Sequence, residues 1–116
     1  MVAIPVSRLF RAFSDPLRLR ILHLLKDGEV CVGDLVSVLR VPQPTASRHL
    51  AYLKRTGLIT ARKNSYWTFY TLAPAQSAFH RKLFECLETC SGDVPELAKD
   101  QARIEKVRAN GGCCPR

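Results

Sequence analysis

Apolar residues recur at intervals of three and four along the first third of the chain, which is the spacing of one face of an α-helix. The stretch "SDP" at 14–16 divides this region, because Ser14 or Asp15 can cap a helix and Pro16 fits its first turn. Gly28 is typical of a helix end. The pattern therefore predicts three helices, over residues 5–13, from Pro16 to Gly28, and over 32–39.

Residues 43–57 predict a fourth helix whose sides differ in chemistry. Pro44 suits the helix start and Gly57 its end. Its small and apolar side chains share one face: Ala46, Leu50 and Leu53. The polar and basic side chains lie on the other faces, so one side of this helix is expected to pack inward and the other to meet solvent or a partner.

Two short strand-like runs follow, at 58–63 and 66–72, and the second is rich in the β-branched and aromatic residues that favour strands. A turn at Lys63-Asn64-Ser65 would join them in a β-hairpin with a basic tip. A short helix, a turn, a basic helix and a basic hairpin together predict a winged helix-turn-helix. The fold class is therefore mainly α with a small β-hairpin wing.

Two further helices are predicted after the hairpin, over residues 75–90 and 94–109. Asp93 and Glu96 resemble a capping box for the second. If the two helices fold back on each other as an antiparallel hairpin, Cys113 ends near residue 75 and far from Cys90 of its own chain. The apolar face of the first contains Phe79, Leu83, Cys86, Leu87 and Cys90. The predicted organisation is one DNA-binding and dimerisation domain over 1–110 and a cysteine-containing tail over 111–116.

Charge is distributed unevenly in this chain of 116 residues, which has a formal net charge of +8. No acidic residue lies between Asp34 and Glu85. The same stretch holds eight basic residues: Arg40, Arg48, Lys54, Arg55, Arg62, Lys63, Arg81 and Lys82. This local excess indicates a nucleic-acid face more strongly than the total charge does.

The composition also bears on the compartment. No stretch approaches the roughly 20 apolar residues of a membrane span, and the first residues lack the basic start and apolar run of a signal peptide. The chain is therefore expected to be cytoplasmic, with no membrane partner. Its five cysteines are expected to be mostly reduced there.

The fourth helix and the hairpin supply the candidate DNA contacts. An α-helix fits the major groove, where its first turns present side chains to base edges. Contacts from a wing go to the backbone, where they position the protein without reading sequence. The candidate DNA-binding residues are Gln43, Thr45, Ser47, Arg48, His49, Tyr52, Arg62 and Lys63.

Four stretches of the chain resemble the ArsR-type family of small bacterial metalloregulators. They are "FRAFSDPLRLRILHLL" (10–25), "GEVCVGDL" (28–35), "QPTASRHLAYLKRTGLI" (43–59) and "SYWTFYTL" (65–72). The resemblance implies a homodimer built on the first helix and the helix after the wing. It also implies a repressor that binds a near-palindromic operator in double-stranded DNA and leaves it when ligand binds.

The third helix departs from the arsenic-responsive branch of that family, whose metal box resembles "ELCVCDL". Here the stretch is "EVCVGDL", so Cys31 keeps the first thiol while Gly33 stands in place of the second and Val36 follows. One thiol cannot hold a soft ion tightly. Cys31 is then either a small apolar residue packed at the start of the helix or a less favoured metal ligand than the other cysteines.

The remaining thiols leave alternatives open. Cys86 and Cys90 are four residues apart, so they are neighbours on one helix face. They either pack in the core or at the dimer interface, or they form a pair of thiols that binds a ligand. Cys113 and Cys114 are adjacent, which suits the short pyramidal bonds of trivalent arsenic or antimony. The resemblance also implies such a position, because some members of that family place their arsenic-binding thiols in the last helix or the tail. The predicted inducer is arsenite or methylarsenite, with antimonite as a further candidate, at Cys113 and Cys114 with Cys86 or Cys90 as third ligand.

Three other functions compete with arsenic sensing. A persulfide or redox sensor of the same fold would pair Cys31 with Cys86 or Cys90. A thiol enzyme of arsenic metabolism is disfavoured, because the cysteines lack a phosphate-cradling loop and a nearby base. Zinc or cadmium sensing is disfavoured because the last two helices carry only His80 and no His/Asp cluster. The chain is therefore expected to be no enzyme and to need no catalytic cofactor.

Overall fold

The computed structural model describes residues 3–89 and 91–112. A single turn of 3₁₀ helix, Ser91–Asp93, precedes the last helix. The helices are α1 (Val6–Phe13), α2 (Pro16–Leu24), α3 (Val32–Leu39), α4 (Gln43–Thr56), α5 (Ala78–Thr89) and α6 (Pro95–Ala109). The strands are β1 (Val30–Cys31), β2 (Ile59–Asn64) and β3 (Trp67–Leu72). This order confirms the predicted winged helix-turn-helix, with helix bounds that differ from the expected ones by a few residues.

The start of α2 follows the capping chemistry that its sequence predicts. The Asp15 carboxylate accepts hydrogen bonds from the backbone N–H groups of Leu17 (2.9 Å) and Arg18 (3.0 Å), and Pro16 occupies the first turn. Burial raises the pKa of Asp15, but these hydrogen bonds and the charges of His49 and Arg18 outweigh it and hold the pKa below its usual value. The cap therefore stays ionised at neutral pH.

The turn between α3 and α4 is held by backbone geometry. Arg40 ends α3 in the left-handed conformation (φ 56°), and its N–H donates to the Val36 carbonyl at 3.0 Å. Gly57 ends α4 with φ 95°, which a residue without Cβ adopts readily. The side chain of Ile4 lies 3.5 Å from where a Cβ of Gly57 would be, so the start of α1 is held beside the end of α4.

The sheet has the order β1-β3-β2 and is antiparallel throughout. The hairpin register runs from Ile59 opposite Leu72 to Asn64 opposite Trp67. β1, which places Cys31 opposite Phe69, was not predicted, because two residues are too short to show an alternating pattern. This strand fixes the start of α3 against the base of the wing.

The core is formed where α1, α2, α3 and α4 meet. It consists of side chains that are at most 2% exposed on every one of these helices, among them Leu9, Ile21, Leu35, Leu50 and Leu53. Ile104 of α6 belongs to the same cluster. The helix-turn-helix is thus packed against the C-terminal helix as well as against its neighbours in sequence.

α6 lies against α2 and α3 and does not form the antiparallel hairpin with α5 that the sequence left open. The reason is Asp100, which is fully buried and accepts two hydrogen bonds from Arg20 of α2, at 2.8 and 2.9 Å. Arg20 also donates to the Leu39 carbonyl at the end of α3 (3.2 Å). The predicted capping box is wrong, because Asp93 lies in the 3₁₀ turn and Val94 occupies the cap position without a side-chain hydrogen bond.

Asp100→Ala should destabilise the protein by about 3 kcal/mol, because it leaves the guanidinium of Arg20 without its carboxylate in a part-buried site. Urea unfolding followed by circular dichroism measures the effect. Glu105→Ala, an exposed position on the same helix, is the matched control and should change stability by less than about 0.5 kcal/mol. A loss no greater than that of the control would show that the pair does not hold α6 in place.

Candidate nucleic-acid interface

The outward face of α4 carries the candidate base-reading residues. Ala46, Leu50 and Leu53 are fully buried and direct one side of the helix into the core. Thr45 and His49 are half-buried. Exposed candidates on this helix are Gln43, Ser47 and Arg48. Arg48 therefore projects from the second turn, where a helix docked in the major groove presents side chains to base edges.

Tyr52 lies on the side of α4 that faces α1 and α2. The Arg18 guanidinium packs over its ring at 4.2 Å from the centroid, and that of Arg55 lies at 5.8 Å. Arg18 is itself fixed by hydrogen bonds to the carbonyls of Ala12 (3.2 Å) and Arg11 (2.8 Å). The aromatic ring thus serves as a packing surface for arginines, which sequence reasoning did not anticipate when it grouped Tyr52 with the base-reading residues.

The two wing candidates differ in their surroundings. Arg62 forms a bidentate ion pair with Glu29, with N···O distances of 2.9 and 2.7 Å, and its guanidinium lies 4.6 Å from the Phe69 ring centroid. These hydrogen bonds raise the pKa of the Arg62 guanidinium. Lys63, the next residue toward the tip, is exposed. Arg62 therefore joins the wing to the segment before β1, and Lys63 is the cation directed toward solvent.

Of the five candidate thiols, Cys31 and Cys86 lie within the described residues, whereas Cys90, Cys113 and Cys114 lie outside them. Cys31 is 1% exposed and caps α3, its Sγ accepting from the Asp34 N–H at 3.5 Å. It takes part in a disulfide bond. Cys86 is on α5 and lines a small apolar cavity of 110 Å³ beside Leu83 and Val94. Within 3–89 and 91–112, no group of three or more His, Cys, Asp and Glu side chains could hold a metal ion.

The end of α6 meets the start of α3, a contact that no local sequence signal announces. Gly112 has φ 74°, and a Cβ built on it would lie 2.7 Å from Oδ2 of Asp34. Its N–H donates to the Val107 carbonyl at 2.9 Å, which closes the last turn. Only glycine lets the backbone come this near to Asp34. The chain therefore reaches residue 112 beside the helix that Cys31 caps.

A helix-turn-helix with an outward basic helix and a wing defines a DNA-binding transcriptional regulator. The chain belongs to the arsR family: residues 15–61 match "Bacterial regulatory protein, arsR family". The arsenical resistance operon repressor of Escherichia coli (strain K12) is 38% identical over 98 residues, which cover 83% of this chain and 84% of that repressor.

Solved structures agree with this assignment. HlyU from Vibrio cholerae N16961 superposes with a TM-score of 0.65 at 38% identity, covering 72% of this chain and 88% of HlyU. The homodimeric winged helix-turn-helix DNA-binding domain of a possible ArsR-family regulator from Mycobacterium bovis gives 0.62 at 30% identity, covering 78% and 82% of the two chains. The protein is a transcriptional repressor of this family and not an enzyme, which excludes the thiol-enzyme alternative.

None of the helices in the described part of the chain is both long enough and apolar enough to span a lipid bilayer.

Arg48→Ala should weaken operator binding by about 1–3 kcal/mol, because a bidentate arginine–base contact contributes that much discrimination. Its exposed position means that folding should be unaffected. Fluorescence anisotropy on operator and on unrelated DNA measures both affinity and specificity. Lys99→Ala, an exposed cation on α6, is the control for lost charge. Unchanged operator affinity in Arg48→Ala would remove this residue from the interface.

Proposed function

We propose that this repressor leaves its operator, a near-palindromic DNA site, when trivalent arsenic or antimony binds to cysteine thiolates. Cys113 and Cys114 supply two of the thiolates, and Cys31 supplies the third. A relative that matches 83% of this chain is an arsenical resistance operon repressor, and it supports arsenic as the inducer. The observation that carries the assignment of Cys31 is the contact between Gly112 and Asp34.

This contact brings the tail to the start of α3 within one chain. Cys113 and Cys114 are the two residues that follow Gly112 in the sequence. Asp34 belongs to the first turn of α3, and its N–H points to the sulfur of Cys31 at 3.5 Å. The attachment point of the two tail cysteines, Gly112, therefore lies beside the helix that Cys31 caps. Under this proposal no thiol from the other subunit is needed.

The chemistry suits three thiols. Arsenous acid exchanges its three hydroxyl groups for three thiolates, and each hydroxyl leaves as water with a thiol proton. Methylarsenite keeps its methyl group and exchanges only two hydroxyls, so the adjacent tail pair is sufficient for it. Because Cys31 takes part in a disulfide bond, it must first be reduced by two electrons from a thiol reductant.

Binding at this position would act on the DNA-reading helices through α3. Cys31 caps α3, and the other end of α3 accepts hydrogen bonds from Arg20 (to Leu39) and Arg103 (to Val38, 3.4 Å). α3 in turn packs on α4. A ligand that binds the tail thiols beside the Cys31 end of α3 therefore favours one placement of α3 over another, and a third bond to Cys31 strengthens the hold of arsenite. It shifts the DNA equilibrium by the difference in its affinity for the two placements.

The disulfide at Cys31 also favours a second candidate, a repressor that senses persulfide or oxidation through the same thiol. From the sequence, Cys86 or Cys90 is the expected partner of Cys31 in such a sensor. Cys86 borders an apolar cavity that Leu87 and Leu97 also line, at the junction of α5 and α6. The two candidates differ in one measurable respect: polysulfide releases the operator in the redox case, and arsenite does so in the metalloid case.

Cys113→Ser/Cys114→Ser should bind operator as wild type does but should no longer release it with arsenite or methylarsenite. In Cys31→Ser, the arsenite concentration at half-maximal operator release should rise at least tenfold. The corresponding methylarsenite concentration should stay close to that of wild type. Serine is a favoured N-cap, so α3 should still form in this variant. Release of labelled operator under reducing conditions, titrated with each arsenical and with polysulfide, gives the midpoints.

Cys86→Ser is the matched control and should respond as wild type. A tail variant that responds normally would show that the tail is not the sensor. Loss of the arsenite response in Cys86→Ser but not in Cys31→Ser would return the third ligand to α5. Release by polysulfide alone would select the redox sensor.

The homodimer of this family is proposed to form here through α1 and α5. Val6, Phe10 and Phe79 are 44%, 52% and 42% exposed, and the rings of Phe10 and Phe79 meet edge to face at 5.4 Å. Ala78 and Leu83 border the same apolar surface of α5. Large apolar side chains gathered on two neighbouring helices are typical of a protein interface.

Phe79→Asp should therefore weaken the dimer by at least about 2 kcal/mol, the usual effect of losing an aromatic anchor at an interface centre. Sedimentation velocity between nanomolar and micromolar concentrations measures the dissociation constant. Tyr66→Asp is the control, because Tyr66 is 95% exposed at the wing and should leave the dimer intact. Dissociation caused by Tyr66→Asp and not by Phe79→Asp would place the interface on the wing.

A further inference from the structure

A basic cavity lies between α1 and the C-terminal half of α4, apart from the exposed base-reading candidates Gln43, Ser47 and Arg48. Its volume is 270 Å³, and its lining residues are Arg8, Arg11, Tyr52, Arg55 and Thr56. The contact between Ile4 and Gly57 holds the first turn of α1 beside the last turn of α4. The cavity is therefore a product of how these two helices pack, and its residues are distant in sequence.

The charges in this cavity are not neutralised from within the described part of the chain. Arg8, Arg11 and Arg55 are exposed, and none of them forms an ion pair with a described acidic side chain. Like charges held close together repel one another, and an anion placed between them removes that cost. Arginine guanidinium groups bind phosphate oxygens through paired N–H donors. A phosphate group is thus the ligand that this set of side chains fits.

Tyr52 and Thr56, which line the inner side of the cavity, are held in place by contacts that leave the charges of Arg8, Arg11 and Arg55 available. Arg18 packs on Tyr52 and donates to the carbonyls of Ala12 and Arg11, which ties α1 to α4. Thr56 Oγ1 donates to the Tyr52 carbonyl at 2.8 Å. The site is therefore formed before any ligand arrives.

The position of Arg55 relates the cavity to DNA. It follows Arg48 by seven residues, so it lies on nearly the same face of α4 and about 10.5 Å further along the helix axis. When the first turns of a recognition helix enter the major groove, its later turns approach the edge of the groove, where the phosphates lie. We propose that Arg8, Arg11 and Arg55 bind a backbone phosphate of the operator. This contact positions α4 without reading sequence.

The test is the salt dependence of DNA binding by Arg8→Ala/Arg11→Ala. The slope of log affinity against log salt should become shallower by about 0.9, the value for one phosphate contact. Affinity should fall equally for operator and unrelated DNA, so that their ratio stays within about twofold, whereas Arg48→Ala lowers that ratio. Arg8→Lys/Arg11→Lys should keep most of the slope.

The control for lost charge is Lys99→Ala/Lys106→Ala, which removes two exposed cations from α6 and should leave the slope unchanged. Arg55→Ala tests the same phosphate from α4 and should also lower the slope by about 0.9. If Arg8→Ala/Arg11→Ala fails to dimerise in sedimentation experiments, the slope of Arg55→Ala alone tests whether the cavity contacts a DNA phosphate. Wild-type slopes in Arg55→Ala, or equal losses in the lysine control, would overturn the proposal.

A free oxyanion is the other source of the same chemistry. Titration of wild type and Arg8→Ala/Arg11→Ala with inorganic phosphate, followed by the NMR signals of the arginine Nε–H groups, tests for it. Little or no binding at millimolar phosphate, together with the shallower DNA slope, supports the DNA contact. Saturable phosphate binding that the variant loses, with an unchanged DNA slope, would make the cavity a small-anion site instead.

Discussion

The buried carboxylate of Asp100 is the interaction on which the arrangement of the C-terminal half depends. A fully buried acid needs partners that satisfy its charge, and Arg20 meets it with two hydrogen bonds while Arg103 lies 3.5 Å away. Because Arg20 is on α2, the pair draws α6 onto the helix-turn-helix and away from α5. The path of the chain after α5, and with it the approach of Gly112 to Asp34, follows from this one pairing.

The same pairing leaves Cys31 and the turn that leads to α4 at opposite ends of one short helix. α3 begins at Cys31, beside the end of α6, and ends at Leu39, whose carbonyl accepts from Arg20. α3 has only eight residues and packs on α4. Under the proposed function, a ligand at the thiol end of α3 therefore reaches α4 through a single helix, and Cys31 takes part although Gly33 stands where a second thiol would be.

The basic residues divide into two groups by what they touch. Arg18, Arg20 and Arg62 are held by carboxylates, carbonyls or aromatic rings, and they shape the fold. Arg8, Arg11 and Arg48 are exposed and form no ion pair with a described acidic side chain, and Arg48 faces away from the core. An excess of positive charge on this side is unfavourable in the free protein and becomes favourable against phosphates. The arginines that have no acidic partner in the described part of the chain are thus the ones available to bind DNA phosphates.

Helical periodicity, the cap at Asp15 and the stop at Gly57 determined the winged helix-turn-helix and the exposed position of Arg48, because these signals act over a few neighbouring residues. The apolar face of α5 was likewise visible in the sequence. The two-residue strand at Cys31, the covering of Tyr52 by arginines and the capture of Arg62 by Glu29 were not. Nor was the packing of α6 on α2, since it rests on a pair separated by 80 residues. Such contacts depend on which helices meet in space, and only the tertiary structure decided that.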